Sequence, residues 1–336
     1  MVIVLREGAS EEDIAELVAV LREVGAEAHV SRGEFRTVIG VIGDRERVMQ
    51  MPFEAYAAVE KVVPIMKPYK LVSREFQEEP TEVRVGNAVF GGGTFTVIAG
   101  PCSVESEEQV VEAARAAKEA GADLFRGGAY KPRTSPYSFQ GLGEEGLAML
   151  ASARDVTGLP VVTEVLDVRD IDVVSRYADV LQVGARNMQN FLMLRDLGMQ
   201  EKPILLKRGM SSTIEEWLMA AEYILKEGNK DVILCERGIR TFETVTRNTL
   251  DISSIPAVKN FSHLPIIVDP SHATGVRELV TPLCMAALAA GADGVMVEMH
   301  PNPREALCDG PQSLTIDGFK EMMDELNELA VFMGRK

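Results

Sequence analysis

The 336-residue sequence predicts an α/β protein: a (β/α)8 TIM barrel preceded by a small α+β domain of order βαββαβ. Three observations predict it. From Phe95 onward, eight apolar, β-rich runs alternate with helical patterns at a spacing of roughly 20 to 35 residues, which favours a closed parallel barrel over an open sheet. A weak internal echo (Gly121-Ala122-Asp123, Ala178-Asp179 and Gly291-Ala292-Asp293) recurs where a helix would turn back into a strand. Residues 1–66 follow a different rhythm and end before a polar, Pro-containing stretch.

In the first domain, 1–66, Val2 to Leu5 reads as a strand. Ala9 to Gly25 reads as a helix capped by Ser10, with Ile14, Leu17, Val18 and Leu21 on one face. Strands Ala26 to Ser31 and Arg36 to Gly43 flank the turn-like Arg32-Gly33-Glu34; a helix near Glu46 to Ala58 and a strand Val59 to Met66 complete a ferredoxin-like order. Residues 67–94 read as a linker with a small hairpin turning at Gly86-Asn87. In the barrel, 95–336, the eight strand readings are Phe95 to Ala99, Ala122 to Arg126, Leu159 to Glu164, Asp179 to Val183, Pro203 to Lys207, Asp231 to Glu236, Pro265 to Asp269 and Gly294 to Glu298. The clearest intervening helices are Glu107 to Ala120, Glu145 to Val156, Thr213 to Lys226 and Arg277 to Ala290.

Composition narrows the function. With 46% hydrophobic and 26% charged residues, the chain has the make-up of an ordinary globular protein. Its longest apolar stretch, Leu283 to Ala292, is half the length that a membrane-spanning helix needs, and acidic residues follow Leu5 too soon for an export signal, so a cytoplasmic protein is expected. A net charge of −16 disfavours nucleic acid and anionic lipid as partners, so an anionic ligand must meet a local cationic pocket. The four cysteines form neither a disulfide framework nor a zinc knuckle.

Strands of such a barrel are buried on both faces, so a charge inside or just after one requires a partner. Arg126, Lys131, Arg133, Arg186, Lys207 and Arg237 all fall at carboxyl ends of strands, the face on which these barrels carry their active sites. A ring of structural salt bridges would explain any one of them. Together they call for a substrate, or a substrate pair, with at least two phosphate or carboxylate groups. A second set follows the first, seventh and eighth strands, which are neighbours in a closed barrel: Cys102, His272, Glu298 and Asp309. Each has an ordinary structural reading, but as an S, N, O, O set they suit a divalent transition ion without selecting one. His29, His263 and His300 read as structural, Cys235 and Cys284 as packing, and Cys308 as an inert loop cysteine that could meet Cys102.

The motifs Gly100-Pro101-Cys102-Ser103, Leu124-Phe125-Arg126-Gly127-Gly128-Ala129-Tyr130-Lys131-Pro132-Arg133-Thr134-Ser135, Gly184-Ala185-Arg186-Asn187, Leu206-Lys207-Arg208-Gly209, Cys235-Glu236-Arg237-Gly238 and Asp269-Pro270-Ser271-His272 together resemble the 3-deoxy-D-arabino-heptulosonate 7-phosphate (DAHP) synthase family. The resemblance spans essentially the whole chain, and the front domain looks like the regulatory module of the type I beta branch. It implies the first step of the shikimate pathway, condensation of phosphoenolpyruvate with erythrose 4-phosphate. By motif, Cys102, His272, Glu298 and Asp309 would ligate one divalent ion such as Mn²⁺, Fe²⁺, Co²⁺ or Zn²⁺. Arg126, Lys131, Arg186, Lys207 and Arg237 would surround phosphoenolpyruvate, and Arg133, Thr134 and Ser135 would take the aldose phosphate. Cys102 and His272 would serve catalysis, with Lys131 as the general acid. The resemblance also implies a homotetramer and feedback by tyrosine or phenylalanine; Glu27, His29 and Ser31 share the polar face of one strand, which reads either as a plain solvent face or as the place of effector contacts by His29 and Ser31. The related 3-deoxy-D-manno-octulosonate 8-phosphate synthases resemble Lys-Ala-Asn-Arg-Ser where this chain has Lys-Pro-Arg-Thr-Ser, and they lack the front domain. A Schiff-base aldolase using Lys207 and a non-catalytic amino-acid sensor are the remaining alternatives.

Overall fold

A computed structural model describes residues 1–33, 36–43, 47–48, 51–63, 68–133 and 135–335, which fall into two compact units, Met1–Pro68 and Tyr69–Lys336. In the first unit, strands β1 (Val2–Leu5), β2 (Glu27–Arg32), β3 (Thr37–Ile42) and β4 (Val59–Val63) form an antiparallel sheet of order β2-β3-β1-β4, the ferredoxin-like arrangement. Ser10 caps the helix Glu11–Glu23 in a reciprocal box with Asp13. Ile14, Leu17 and Leu21 of that helix pack on Ile3, Leu5, Ile39 and Phe53. The helix expected near Glu46 to Ala58 falls in part outside the described residues (46, 49 and 50). Its second half is instead a single 3₁₀ turn, Phe53–Ala55, because Pro52 pushes the residue before it out of helical geometry.

The second unit contains the closed barrel that the sequence predicts. Its strands are β7 (Thr96–Gly100), β8 (Leu124–Arg126), β9 (Val161–Val165), β10 (Val180–Val183), β11 (Ile204–Lys207), β12 (Val232–Glu236), β13 (Ile266–Val268) and β14 (Gly294–Glu298). All eight neighbouring pairs are parallel, and β14 closes on β7. The repeated aspartates now have a physical role. Asp123 accepts the Val97 N–H, Asp179 that of Val161 and Asp293 that of Ile266, so each fastens the start of the preceding strand and fixes its register.

Strand side chains alternate between two environments. One set, including Val97, Phe125, Leu181, Leu206, Leu234 and Val297, packs against the surrounding helices. The other, Ile98, Leu124, Val162, Val180, Leu205, Ile233, Ile267 and Met296, forms a separate cluster with Val83, Val85, Ala88 and Phe90. These last four belong to the hairpin β5 (Val83–Val85) and β6 (Ala88–Phe90). The hairpin therefore plugs the amino-terminal end of the barrel, and the stretch read as linker is, from Tyr69 on, part of the barrel unit.

Two side chains fasten the residues between Tyr69 and the hairpin. Glu222 accepts the N–H groups of Lys70, Leu71 and Val72 at 2.9–3.0 Å. The ring nitrogens of His263 meet the Thr81 hydroxyl and the Leu71 carbonyl, each at 2.7 Å. Burial pushes the His263 imidazole down from its ordinary 6.5, more than the bond to Leu71 raises it. The folded state thus holds a neutral ring while the unfolded chain protonates near 6.5. Stability is full above that pH and is lost as pH falls through the lowered value. Urea midpoints at about pH 7.5 and about pH 5.5 should show this acid loss, and His263→Gln should reduce it. An equal loss in the variant would place the titration elsewhere.

Candidate active site and metal centre

At the opposite end of the barrel the inward positions change character within two residues. Leu124 gives way to Arg126, Val162 to Glu164, Val180 to Gln182, Leu205 to Lys207, Ile267 to Asp269 and Met296 to Glu298. Arg126, Gln182, Lys207, Asp269 and Glu298 are all buried. Burying charge is costly, and the chain answers by pairing across strands. Arg126 donates to Glu298 at 2.6 Å, Lys207 to Asp269 at 2.5 Å and Gln182 to Glu164 at 3.0 Å.

Asp269 joins Lys207 to His272. As the residue before the short helix Pro270–Thr274, it accepts the His272 N–H on Oδ1 at 3.0 Å, while its Oδ2 meets His272 Nδ1 at 2.6 Å. The imidazole is thereby oriented with Nε2 directed at Glu298 Oε1, 3.0 Å away. Burial opposes the charged imidazolium, but Asp269 and then Glu298 outweigh it and raise His272 to about 10. In return, His272 and Lys207 hold the Asp269 carboxyl well below its usual range despite burial, and His272 and Arg126 do the same for Glu298. Glu298 Oε2 accepts from the Gln312 amide, which fixes its second oxygen.

Cys102 enters from the loop after β7. Gly100 permits this, since a Cβ there would meet the Arg126 carbonyl oxygen at 2.0 Å. Cys102 Sγ lies 3.2 Å from Asp309 Oδ2 and 3.1 Å from Lys131 Nζ, and Lys131 also donates to the Cys102 carbonyl. Asp309 holds φ +51°, a left-handed conformation that Asp tolerates better than most residues, and its other oxygen meets Arg247 at 3.1 Å. One donor atom each from Cys102, His272, Glu298 and Asp309 lies within 4.8 Å of the others. This compact, largely buried thiol, imidazole and carboxylate set fits a divalent transition ion. Cys308, read as inert, is not isolated. Its contact with Cys102 lowers its thiol to about 6 against burial, helped by Lys131 and by Arg133, whose guanidinium reaches the sulfur at 2.6 Å, while Cys102 is pushed up.

Above this cluster opens a cavity of about 380 Å³, lined by Lys131, Arg133, Arg186, Lys207, Arg237, His272 and Asp309, with Glu164, Arg240, Arg247 and Asn248. The cationic mouth differs from expectation in one respect. Arg126 and Lys207 are neutralised by the protein's own carboxylates, and Arg126 does not line the cavity. Arg186 has no hydrogen bond or ion pair among the described residues, and Arg237 has only neutral partners, the Asn248 amide oxygen at 2.8 Å and the His272 carbonyl at 3.1 Å. Ser135 is exposed, accepts the Tyr137 N–H and is not among the residues that line the cavity; Thr134 lies outside the described residues. His29 and Ser31 are exposed on edge strand β2 of the first unit. Asp269, Glu164, Gln182, Gln312, Arg247 and Asn248 were not singled out from sequence. Only Asp269 had a local signal, an acidic cap directly before Pro270.

Residues 74–333 match the model of the DAHP synthetase I family, and residues 1–67 match that of the DAHP synthase ferredoxin-like domain. The chain is 54% identical over 336 residues to a phospho-2-dehydro-3-deoxyheptonate aldolase of Thermotoga maritima, covering 100% of this chain and 99% of that protein. A 2-dehydro-3-deoxyphosphooctonate aldolase of Fusobacterium nucleatum is 35% identical over 263 residues, 72% of this chain and 93% of that one. The crystal structure of the Thermotoga maritima phospho-2-dehydro-3-deoxyheptonate aldolase superposes with a TM-score of 0.97 at 54% identity, covering 100% of this chain and 98% of that chain. A truncated form of 3-deoxy-D-arabino-heptulosonate 7-phosphate synthase from the same organism gives 0.75 at 52% identity, covering 80% of this chain and 98% of its own.

The pairing scheme makes Asp269→Asn a sharp test. The substitution keeps the shape but leaves the buried Lys207 ammonium without its carboxylate, which should cost about 3–5 kcal/mol in urea unfolding of the barrel. A loss below about 1 kcal/mol would mean that Lys207 finds another counter-charge.

Proposed function

The chain belongs to the DAHP synthetase I family, and from that premise we propose that it condenses phosphoenolpyruvate with D-erythrose 4-phosphate and water, releasing phosphate, in a metal-dependent reaction under feedback control by an aromatic amino acid. The observation that carries this reading is the charge balance of the cavity. Arg186, with no partner among the described residues, and Arg237, with only neutral ones, bring uncompensated positive charge beside a four-donor cluster. They suit an enol phosphate, which brings a phosphate and a carboxylate to the same wall.

In this mechanism Arg186, Lys207 and Arg237 grip phosphoenolpyruvate, with Arg126 beneath them, and Arg133, together with Thr134, takes the phosphate of the aldose. Cys102, His272, Glu298 and Asp309 would hold a divalent ion, Mn²⁺ or a similar one, which supplies Lewis acidity toward the aldehyde oxygen. The Asp269 bond at Nδ1 keeps His272 Nε2 available as a donor. C3 of the enol attacks the aldehyde carbon. Lys131, buried beside Cys102, gives the new alkoxide its proton. Water then adds at C2, and the tetrahedral centre expels phosphate. Excluding bulk water from the buried floor strengthens every one of these charge interactions.

The alternative reading as a 3-deoxy-D-manno-octulosonate 8-phosphate synthase would make arabinose 5-phosphate the competing substrate. Loss of phosphoenolpyruvate should be seen with erythrose 4-phosphate and not with arabinose 5-phosphate. Chelation should abolish it, Mn²⁺ should restore it, and Cys102→Ala should greatly weaken the restoration. Full activity in the chelated protein would overturn the metal mechanism, and turnover with arabinose 5-phosphate alone would reassign the substrate.

The first unit supports the regulatory part of the reading. It matches the DAHP synthase ferredoxin-like domain. Tyrosine or phenylalanine is the proposed effector, with His29 and Ser31 as contacts, and the proposed assembly is a homotetramer. A protein beginning at Tyr69 should keep turnover and lose inhibition by tyrosine or phenylalanine. Unchanged sensitivity would put the control site in the barrel.

A further inference from the structure

Arg237 is 8% exposed and has no carboxylate in contact among the described residues, unlike Arg126 and Lys207. Its guanidinium is held at two points. Nη1 donates to Asn248 Oδ1 at 2.8 Å and Nη2 to the His272 carbonyl at 3.1 Å. Asn248 is 4% exposed and stands at the return of a loop that leaves the barrel after β12. The loop is closed at its base by reciprocal 2.9 Å bonds between Ile239 and Thr249 and by a 2.7 Å bond between the Thr241 and Thr249 hydroxyls.

The returning strand is fastened to the helix that carries His272. Arg247 N–H reaches the Thr274 carbonyl at 2.9 Å, and Asn248 N–H reaches that of Ala273 at 2.8 Å. The packing is close: Gly238 holds φ +91°, and a Cβ there would lie 2.7 Å from Asn248 Cβ and 3.0 Å from Ala273. Asn248 Oδ1 therefore has little freedom, and it ties the Arg237 head group to the backbone of the His272 helix.

We propose that Asn248 is the positioning residue of Arg237, an uncharged acceptor that aims the guanidinium into the cavity while leaving its full positive charge for the substrate anion. This rests on the reading that Arg237 grips phosphoenolpyruvate. The choice of amide over carboxylate is the essential point. An aspartate at this position would make the same hydrogen bond and hold the head group at least as firmly. It would also neutralise the cation and compete with the incoming anion. An amide orients without cancelling.

Two variants and two readouts test this. Phosphoenolpyruvate binding is measured at equilibrium in the presence of Mn²⁺, and KM and kcat are measured for both substrates, with melting temperatures as a check on folding. Asn248→Ala should weaken phosphoenolpyruvate binding about ten- to a hundredfold, with the KM for erythrose 4-phosphate and kcat within about threefold of wild type. Asn248→Asp should melt no lower than wild type and yet lose at least about tenfold in phosphoenolpyruvate affinity. A scaffold role alone would leave the Asp variant binding normally, and that result overturns the proposal. So does an equal rise of both KM values in Asn248→Ala, or an unchanged phosphoenolpyruvate affinity. If wild type itself binds no phosphoenolpyruvate, the functional reading falls together with the inference. If wild type and both variants bind it equally well, only the inference falls.

Discussion

The carboxylate of Asp269 has no exposure to solvent, and its charge is supportable only because the ammonium of Lys207 and the imidazole of His272 meet the same oxygen. Most of the site's geometry follows from that requirement. Lys207 links Asp269 to β11. His272 links it to Glu298 on β14, and Glu298 reaches Arg126 on β8 and Gln312 in the following loop. The result is a chain of alternating charge across the carboxyl ends of several strands. No member can move without leaving a neighbour buried and uncompensated, so the side chains beneath the cavity are held by the barrel frame rather than by its loops.

The barrel was legible in the sequence for the same physical reason that it is stable. Strands buried on both faces read as short apolar runs, and all eight runs became strands, displaced at their ends by no more than two residues. Asp123 and Asp179 show how two edges were misjudged: each was read within its own strand, but its side chain serves the strand before it. The second half of the helix read near Glu46 to Ala58 is a 3₁₀ turn because proline restrains its predecessor.

The site was legible by residue type and not by pairing. Arg126 and Glu298 stand 172 residues apart, and Lys207 and Asp269 stand 62 apart. Counting charges along the chain could not show that these pairs satisfy one another while Arg186 and Arg237 are left over. Glu164 and Gln182 were missed because a strand buried on both faces does not reveal which of its faces is inward until the register is known. Asn248 and Gln312 are neutral residues in loops, where composition alone carries no signal of function.

The hairpin between Val83 and Phe90 also bears on how such a chain can change over time. It fills the base of the barrel with residues supplied from the amino-terminal side of β7, so the barrel's own sequence includes its closure. The boundary between the two compact units, at Pro68, lies outside that closure. Recombination at this boundary can exchange, duplicate or discard the front module without opening the hydrophobic interior to water. A crossover placed after the hairpin would separate the barrel from its own floor. The junction at Pro68 is therefore a seam at which lineages can change what precedes the barrel while inheriting the barrel and its floor intact.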